Sequence, residues 1–211
     1  MKIAILLYDR FTALDAVGPY EVLGRLPEAD LTFVGEEKRP YRTDTGRLAI
    51  TADATLTETP EADILLIPGG PGQSDLMEDG PVHDWIRAID TTSTWTTTVC
   101  TGSLILAATG LLKDRKAVTH WLAMGQLGKY GAVATEERVV FDGKYVTAAG
   151  VSAGIDMGLT LAARIAGDQF AEGLQLAIEY DPQPPFDSGS PAKAAPEVVD
   201  FLRGRSRHVL K

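Results

Sequence analysis

Residues 94–112 read TWTTTVCTGSLILAATGLL, and the only cysteine of the chain, Cys100, stands where the character of this stretch changes. Before it lies a β-branched run suited to a strand. After it come Thr101, Gly102 and Ser103, small enough for a sharp turn, and then an apolar segment of helical length. The order is strand, cysteine, helix. ADILLIPGG (62–70) is a second β-branched apolar run, and it stops at Gly69 and Gly70. KIAILLY (2–8) is apolar without alternation, as expected for a strand buried on both faces.

Outward from these runs, LTFVG (31–35) reads as another strand and RLAITA (47–52) as a strand in a hairpin-like excursion. DRFTALDAVGPYEVLGRLP reads as a helix that Gly18-Pro19 interrupts, because proline removes a donor and crowds the preceding turn. DLMEDGPVHDWIRAID is helical, with a division at Gly80-Pro81. KAVTHW (116–121) reads as a strand, LAMGQLGKYG as a helix closed by glycine, and VVFDGKYVTAAG as two short strands around Asp142-Gly143. Residues 154–180 give two helices divided near Gly167. A Pro-rich loop (181–196) and a final helix with a basic end follow. Strands alternating with helices predict an α/β fold, a parallel sheet covered by helices on both faces. With no repeat and no break in composition, residues 1–211 read as one domain, with the loop and last helix as an appendage.

The 211 residues are 45% hydrophobic and 23% charged, which is ordinary for a globular chain. A net charge of −9 argues against nucleic acid and against an anionic membrane as partner. One cysteine cannot form an internal disulfide, no stretch is long enough to span a bilayer, and the N-terminus lacks the features of a signal peptide. The expected setting is the cytoplasm, with the thiol free. No His/Cys/Asp cluster has metal-ligand spacing, so no metal site is expected. His83 and His208 read as surface positions on helices.

In open α/β sheets ligands bind at the carboxyl ends of the strands. A cysteine between strand and helix sits at that edge, where the first N–H groups of the helix point at it. That environment predicts a lowered thiol pKa and a strand–nucleophile–helix elbow, with the sulfur projecting into a small cleft. It also predicts an oxyanion site, with one N–H from Thr101 and a second from the Gly69-Gly70 turn, at ~3 kcal/mol each. A lone cysteine more often fills a core. The elbow position, the small polar residues and the second Gly-Gly turn together favour the reactive reading. Asp15 follows the first strand, where an aspartate is commonly a helix N-cap. His120 follows the strand KAVT and reads as a pocket residue beside Trp121. The Gly150–Gly154 junction, with Val151, shapes a pocket or allows tight helix packing.

ILLIPGG, VCTGSLILAATGLLKDRKAVTHW and LDAVGP together resemble the DJ-1/PfpI superfamily, which shares the flavodoxin-like core of the class I glutamine amidotransferases. The narrower signals are LDAVGP with Asp15, Thr101 after the cysteine, and PPFDSGSP (184–191). They resemble the isonitrile hydratase (isocyanide hydratase) branch. The resemblance implies a flavodoxin-like doubly wound, mostly parallel sheet. It implies Cys100 as nucleophile, Asp15 as its acid–base partner and Thr101 as a supporting hydroxyl. Gly69, Gly70, His120 and Val151 are the expected substrate-binding positions. With the family match Asp15 is expected beside the sulfur and protonated at rest, since an ionised carboxylate there would raise the thiol pKa. The implied reaction hydrates a small-molecule isonitrile to an N-substituted formamide through a cysteine thioimidate, with no cofactor, in a homodimer. The rivals are another cysteine-dependent activity of the superfamily (glyoxalase-like or amidohydrolase), a redox sensor, and the ligand-binding half of a transcription regulator. Only one helix follows residue 191 and the charge is acidic, so the regulator is disfavoured.

Overall fold

The computed structural model describes residues 1–205 of the chain. The strands are β1 (Lys2–Leu6), β2 (Asp30–Gly35), β3 (Pro40–Arg42), β4 (Ala49–Thr51), β5 (Ala54–Thr55), β6 (Ile64–Ile67), β7 (Trp95–Val99), β8 (Lys116–Ala117), β9 (Val133–Ala134), β10 (Val139–Asp142) and β11 (Tyr145–Ala148). The helices are α1 (Ala13–Leu23), α2 (Pro81–Thr92), α3 (Gly102–Ala108), α4 (Met124–Leu127), α5 (Ala153–Ala166), α6 (Asp168–Ala177) and α7 (Pro196–Gly204).

Seven strands form one sheet in the order β10-β11-β7-β6-β1-β2-β5. All neighbours are parallel except β10 and β11, which form the antiparallel hairpin expected around Asp142-Gly143. Ile3, Ile5, Leu6 and all of β6 are buried, which accounts for their unbroken apolar runs. Thr96, Thr97 and Thr98 of β7 are buried too, and their hydroxyls are paired: Thr97 donates to the Leu65 carbonyl at 2.8 Å, and Thr98 shares a proton with Ser103 at 2.6 Å. Helices α1, α5 and α6 pack together, and α3 packs with α2 and α4. The order β2-β1-β6-β7-β11 is the flavodoxin-like winding, so the carboxyl ends of four adjacent strands converge beside the point where the winding reverses.

Several elements differ from the sequence expectation. Helix α1 runs unbroken through Gly18 and Pro19. Packing against α5 outweighs the lost hydrogen bond: a Cβ on Gly18 would stand 3.1 Å from Ile155, and Gly154 lets Pro19 approach equally closely. KAVTHW is strand only at Lys116–Ala117, which pair with β9 outside the main sheet. His83 is buried rather than superficial, with Nε2 2.7 Å from the Leu76 carbonyl, and so ties α2 to the turn before it. The expected hairpin is present as β3 and β4. Residues 181–195 carry no helix or strand before α7. His208 and most of the basic C-terminal run lie outside the described residues. Among the described residues no helix is long and apolar enough to cross a membrane.

Candidate active site

Four strand ends build the site. β1 leads to Tyr8 and, through Thr12, into α1 with Asp15 in its first turn. β6 ends in Pro68-Gly69-Gly70, β7 in Cys100, and β11 in Gly150-Val151. Cys100 has φ 57° and Val151 φ 33°, two non-glycine residues in the left-handed region. Such conformations persist only where the surroundings over-determine them. The Cys100 N–H is held by the Ala148 and Ala149 carbonyls at 3.0 Å, and its carbonyl accepts from Thr119 Oγ1 at 2.8 Å.

The sulfur receives the backbone N–H groups of Val151 and Thr101 and meets the carboxyl of Asp15. Cys100 is 0% exposed. The expected lowering of its pKa is therefore overturned. Burial pushes the thiol well up, the charge of Asp15 adds to the rise, and the two N–H groups pull only partly the other way. Burial likewise moves Asp15 from 3.8 to about 7, against the N–H of Gly69 and the contact with Cys100. A neutral thiol beside a carboxyl that titrates near neutrality is a proton-sharing pair.

Asp15 is not a helix N-cap; Thr12 holds that position. The Asp15 side chain is fully buried, its Oδ2 accepts the Gly69 N–H at 2.9 Å, and its Oδ1 has no nitrogen or oxygen partner. Thr101 Oγ1 accepts the Gly70 N–H at 2.9 Å and lies 3.3 Å from the Gly70 carbonyl. Both N–H groups of the Gly69-Gly70 turn are thus committed within the protein, and the expected oxyanion donor from that turn is corrected. The donors that remain at the sulfur are those of Thr101 and Val151. Gly69 and Gly70 instead make room: a Cβ on Gly69 would stand 2.4 Å from the Thr101 nitrogen and 2.9 Å from Asp15. His120 meets the junction at Gly150, where a Cβ would fall 2.7 Å from its ring, and its Nδ1 accepts the Leu122 N–H at 3.3 Å. It reaches the site from an irregular segment rather than from a sheet strand.

One residue of the site has no counterpart in the sequence reading, and one expectation fails. Tyr8 is buried, donates to the Pro68 carbonyl at 2.8 Å, and feels the charges of Asp15 and Cys100, with burial pushing its phenol up. The polar end of an apolar strand run was its only signal. The expectation that the sulfur projects into a small cleft is overturned: Cys100 is sealed in packing, because the strand ends, Asp15 and Tyr8 close around it. A groove of about 380 Å³ between α1, α5 and the end of α6 is lined by Leu14, Val17, Gly18 and Ile155 among others, without Cys100. Among the described residues no group of three or more His, Cys, Asp or Glu is placed to hold a metal.

The elbow, the paired carboxyl and the parallel winding agree with the comparison of the chain with known proteins: the DJ-1/PfpI family model matches residues 1–164. The chain belongs to the DJ-1/PfpI family. It is 42% identical over 211 residues to a protein of Pseudomonas putida named isonitrile hydratase, covering all of this chain and 92% of that one. It is 30% identical over 175 residues to the HTH-type transcriptional regulator CdhR of Pseudomonas aeruginosa, covering 81% of this chain but 49% of the regulator. Among solved structures, a ThiJ/PfpI family protein from Pseudomonas syringae superposes with a TM-score of 0.94 at 38% identity, over 97% of this chain and 85% of the other. Within the DJ-1/PfpI family, then, the similarity extends past the matched core to the C-terminal segment.

Proposed function

We propose that this protein is an isonitrile hydratase that converts R–N≡C to R–NH–CHO through a covalent adduct on Cys100. The observation that carries the proposal is the buried Cys100–Asp15 pair, in a chain 42% identical over its full length to an isonitrile hydratase. Sulfur is a soft nucleophile, and the terminal isonitrile carbon is a slender electrophile that needs only a small opening of the shell. The Cys100 sulfur forms a bond to that carbon while the proton of the pair, relayed by Asp15, goes to the same carbon. The product is a thioimidate, R–N=CH–S. Water adds to the thioimidate carbon, Asp15 taking a proton from it as the nitrogen gains one. The carbon–sulfur bond then breaks, the formamide leaves, and the thiol regains its proton. Splitting one addition into two steps is the gain of covalent catalysis.

Thr101 supports the reaction by fixing Gly70, and the Val151 and Thr101 N–H groups stabilise negative charge on sulfur as it forms. In this reading R enters beside His120 and Val151 as the shell opens, and Gly69 lets Thr101 and Asp15 pack closely at the sulfur. The same assignment makes the protein a cytoplasmic enzyme acting as a homodimer. A panel of small isonitriles against methylglyoxal is the test. Turnover confined to isonitriles supports the reading. Turnover of methylglyoxal alone would give the site to the glyoxalase-like rival, and ligand binding without turnover would give it to the regulator-type rival.

A further inference from the structure

The junction that presents Val151 to the sulfur is gripped from outside by groups the reaction does not use. Val151 is β-branched and sits at φ 33°, where such a residue is strained unless its surroundings hold it. Arg138, the residue before β10, reaches this junction at three points. Its carbonyl accepts the Ala149 N–H at 2.9 Å, its Nη2 donates to Ser152 Oγ at 3.2 Å, and its Nε donates to Asp156 Oδ2 at 2.6 Å. Asp156 lies in the first turn of α5, and its Oδ1 accepts the Tyr180 hydroxyl at 3.2 Å. The grip therefore brackets Val151, with Ala149 on one side and Ser152 and Asp156 on the other. Tyr180 lies beyond residue 164, where the family match ends, so the C-terminal segment closes the clamp.

We propose that Arg138, Asp156 and Tyr180 act as positioning residues that hold the Val151 N–H on the Cys100 sulfur and so set the acidity of the thiol. The clamp stands on the part of the functional reading that makes Cys100 the nucleophile, and it acts through backbone rather than by contact with substrate. The charged or titratable groups that face the sulfur are Asp15 and Tyr8, with His120 against Gly150; the variants below leave all three in place. An N–H bond to sulfur favours the thiolate, so a loosened clamp raises the thiol pKa.

The test is the pH profile of Cys100 alkylation by iodoacetamide in the full chain, whose single cysteine makes the readout specific. Arg138→Lys keeps the charge and loses the planar fork, and Tyr180→Phe removes one neutral hydroxyl. The midpoint of the profile should rise in both, giving ~3-fold to 10-fold slower alkylation at a fixed pH below it, with circular dichroism unchanged. The midpoint is the quantity to compare, because easier opening of the shell hydrates the thiol and moves the midpoint down, opposite to the loss of an N–H bond. A midpoint unchanged or lowered in either folded variant overturns the proposal. No isonitrile is used, so failure of the substrate assignment is a separate result.

Discussion

Two buried aspartates lie near opposite ends of β7. Asp90, on α2, has every oxygen engaged: Thr96 Oγ1 donates to Oδ1 at 2.6 Å, the Tyr145 hydroxyl to Oδ2 at 3.0 Å, and Lys144 Nζ lies 3.1 Å from Oδ1. Asp15, at the carboxyl end, has one N–H donor on Oδ2 and no nitrogen or oxygen partner on Oδ1. The first carboxylate is neutralised and paired, as burial normally requires. The second keeps part of its capacity open beside a thiol, and burial carries it to about 7. A satisfied buried acid holds the fold together. An unsatisfied one beside a thiol has a proton to give.

This contrast can be tested from both sides. The largest effect belongs to the sulfur: Cys100→Ala should lower isonitrile hydration by at least about 10³-fold, measured as formamide release, while leaving the fold intact. Asp15→Asn comes next, with a loss of ~10²-fold to 10⁴-fold in turnover. Its effect on stability should be opposite in sign. The native state holds a proton on Asp15 up to about pH 7, whereas the unfolded chain releases it near 3.8. The folded state thus binds more protons between those values, and stability falls as pH rises from about 4 to 7, by on the order of 4 kcal/mol. Urea unfolding across that range should slope less in Asp15→Asn than in the parent.

Asp90→Ala should do the reverse. It strands the Thr96, Tyr145 and Lys144 donors and should cost ~2–4 kcal/mol, seen as a lower urea midpoint, with isonitrile turnover per folded molecule unchanged. If Asp90→Ala abolished turnover and Asp15→Asn did not, the division of labour drawn here would be wrong. The smallest effect is expected from Thr101→Val. It removes the hydroxyl that secures Gly70, for ~1 kcal/mol and a drop in turnover well short of that of Asp15→Asn.

The sheet was legible because β1, β6 and β7 are unbroken apolar or β-branched runs and each ends in turn residues. Local residue types also marked the Asp142-Gly143 hairpin and the division of the last long helices at Gly167. Two readings failed where tertiary contacts outweighed local preference. Pro19 breaks a helix in isolation, but the glycines at 18 and 154 let α1 and α5 close over it. KAVTHW has strand composition, yet only Lys116–Ala117 find a partner. At the site, Cys100 was placed by the strand-to-helix change and Asp15 by the family resemblance. The direction of the thiol pKa is not legible in sequence, because the helix N-terminus is visible there and the enclosure of the sulfur is not. The commitment of the Gly69 and Gly70 N–H groups to Asp15 and Thr101 was hidden for the same reason. Those pairs are 54 and 31 residues apart.

The central claim is a covalent bond between Cys100 and substrate carbon. Acid-quenched protein from early turnover of an aryl isonitrile, examined by intact and peptide mass spectrometry, tests it most directly. The account predicts a gain equal to the full mass of the isonitrile, located on the Cys100 peptide and absent from Cys100→Ala. Unmodified protein at every time point, with formamide still produced by Cys100→Ala, would contradict it.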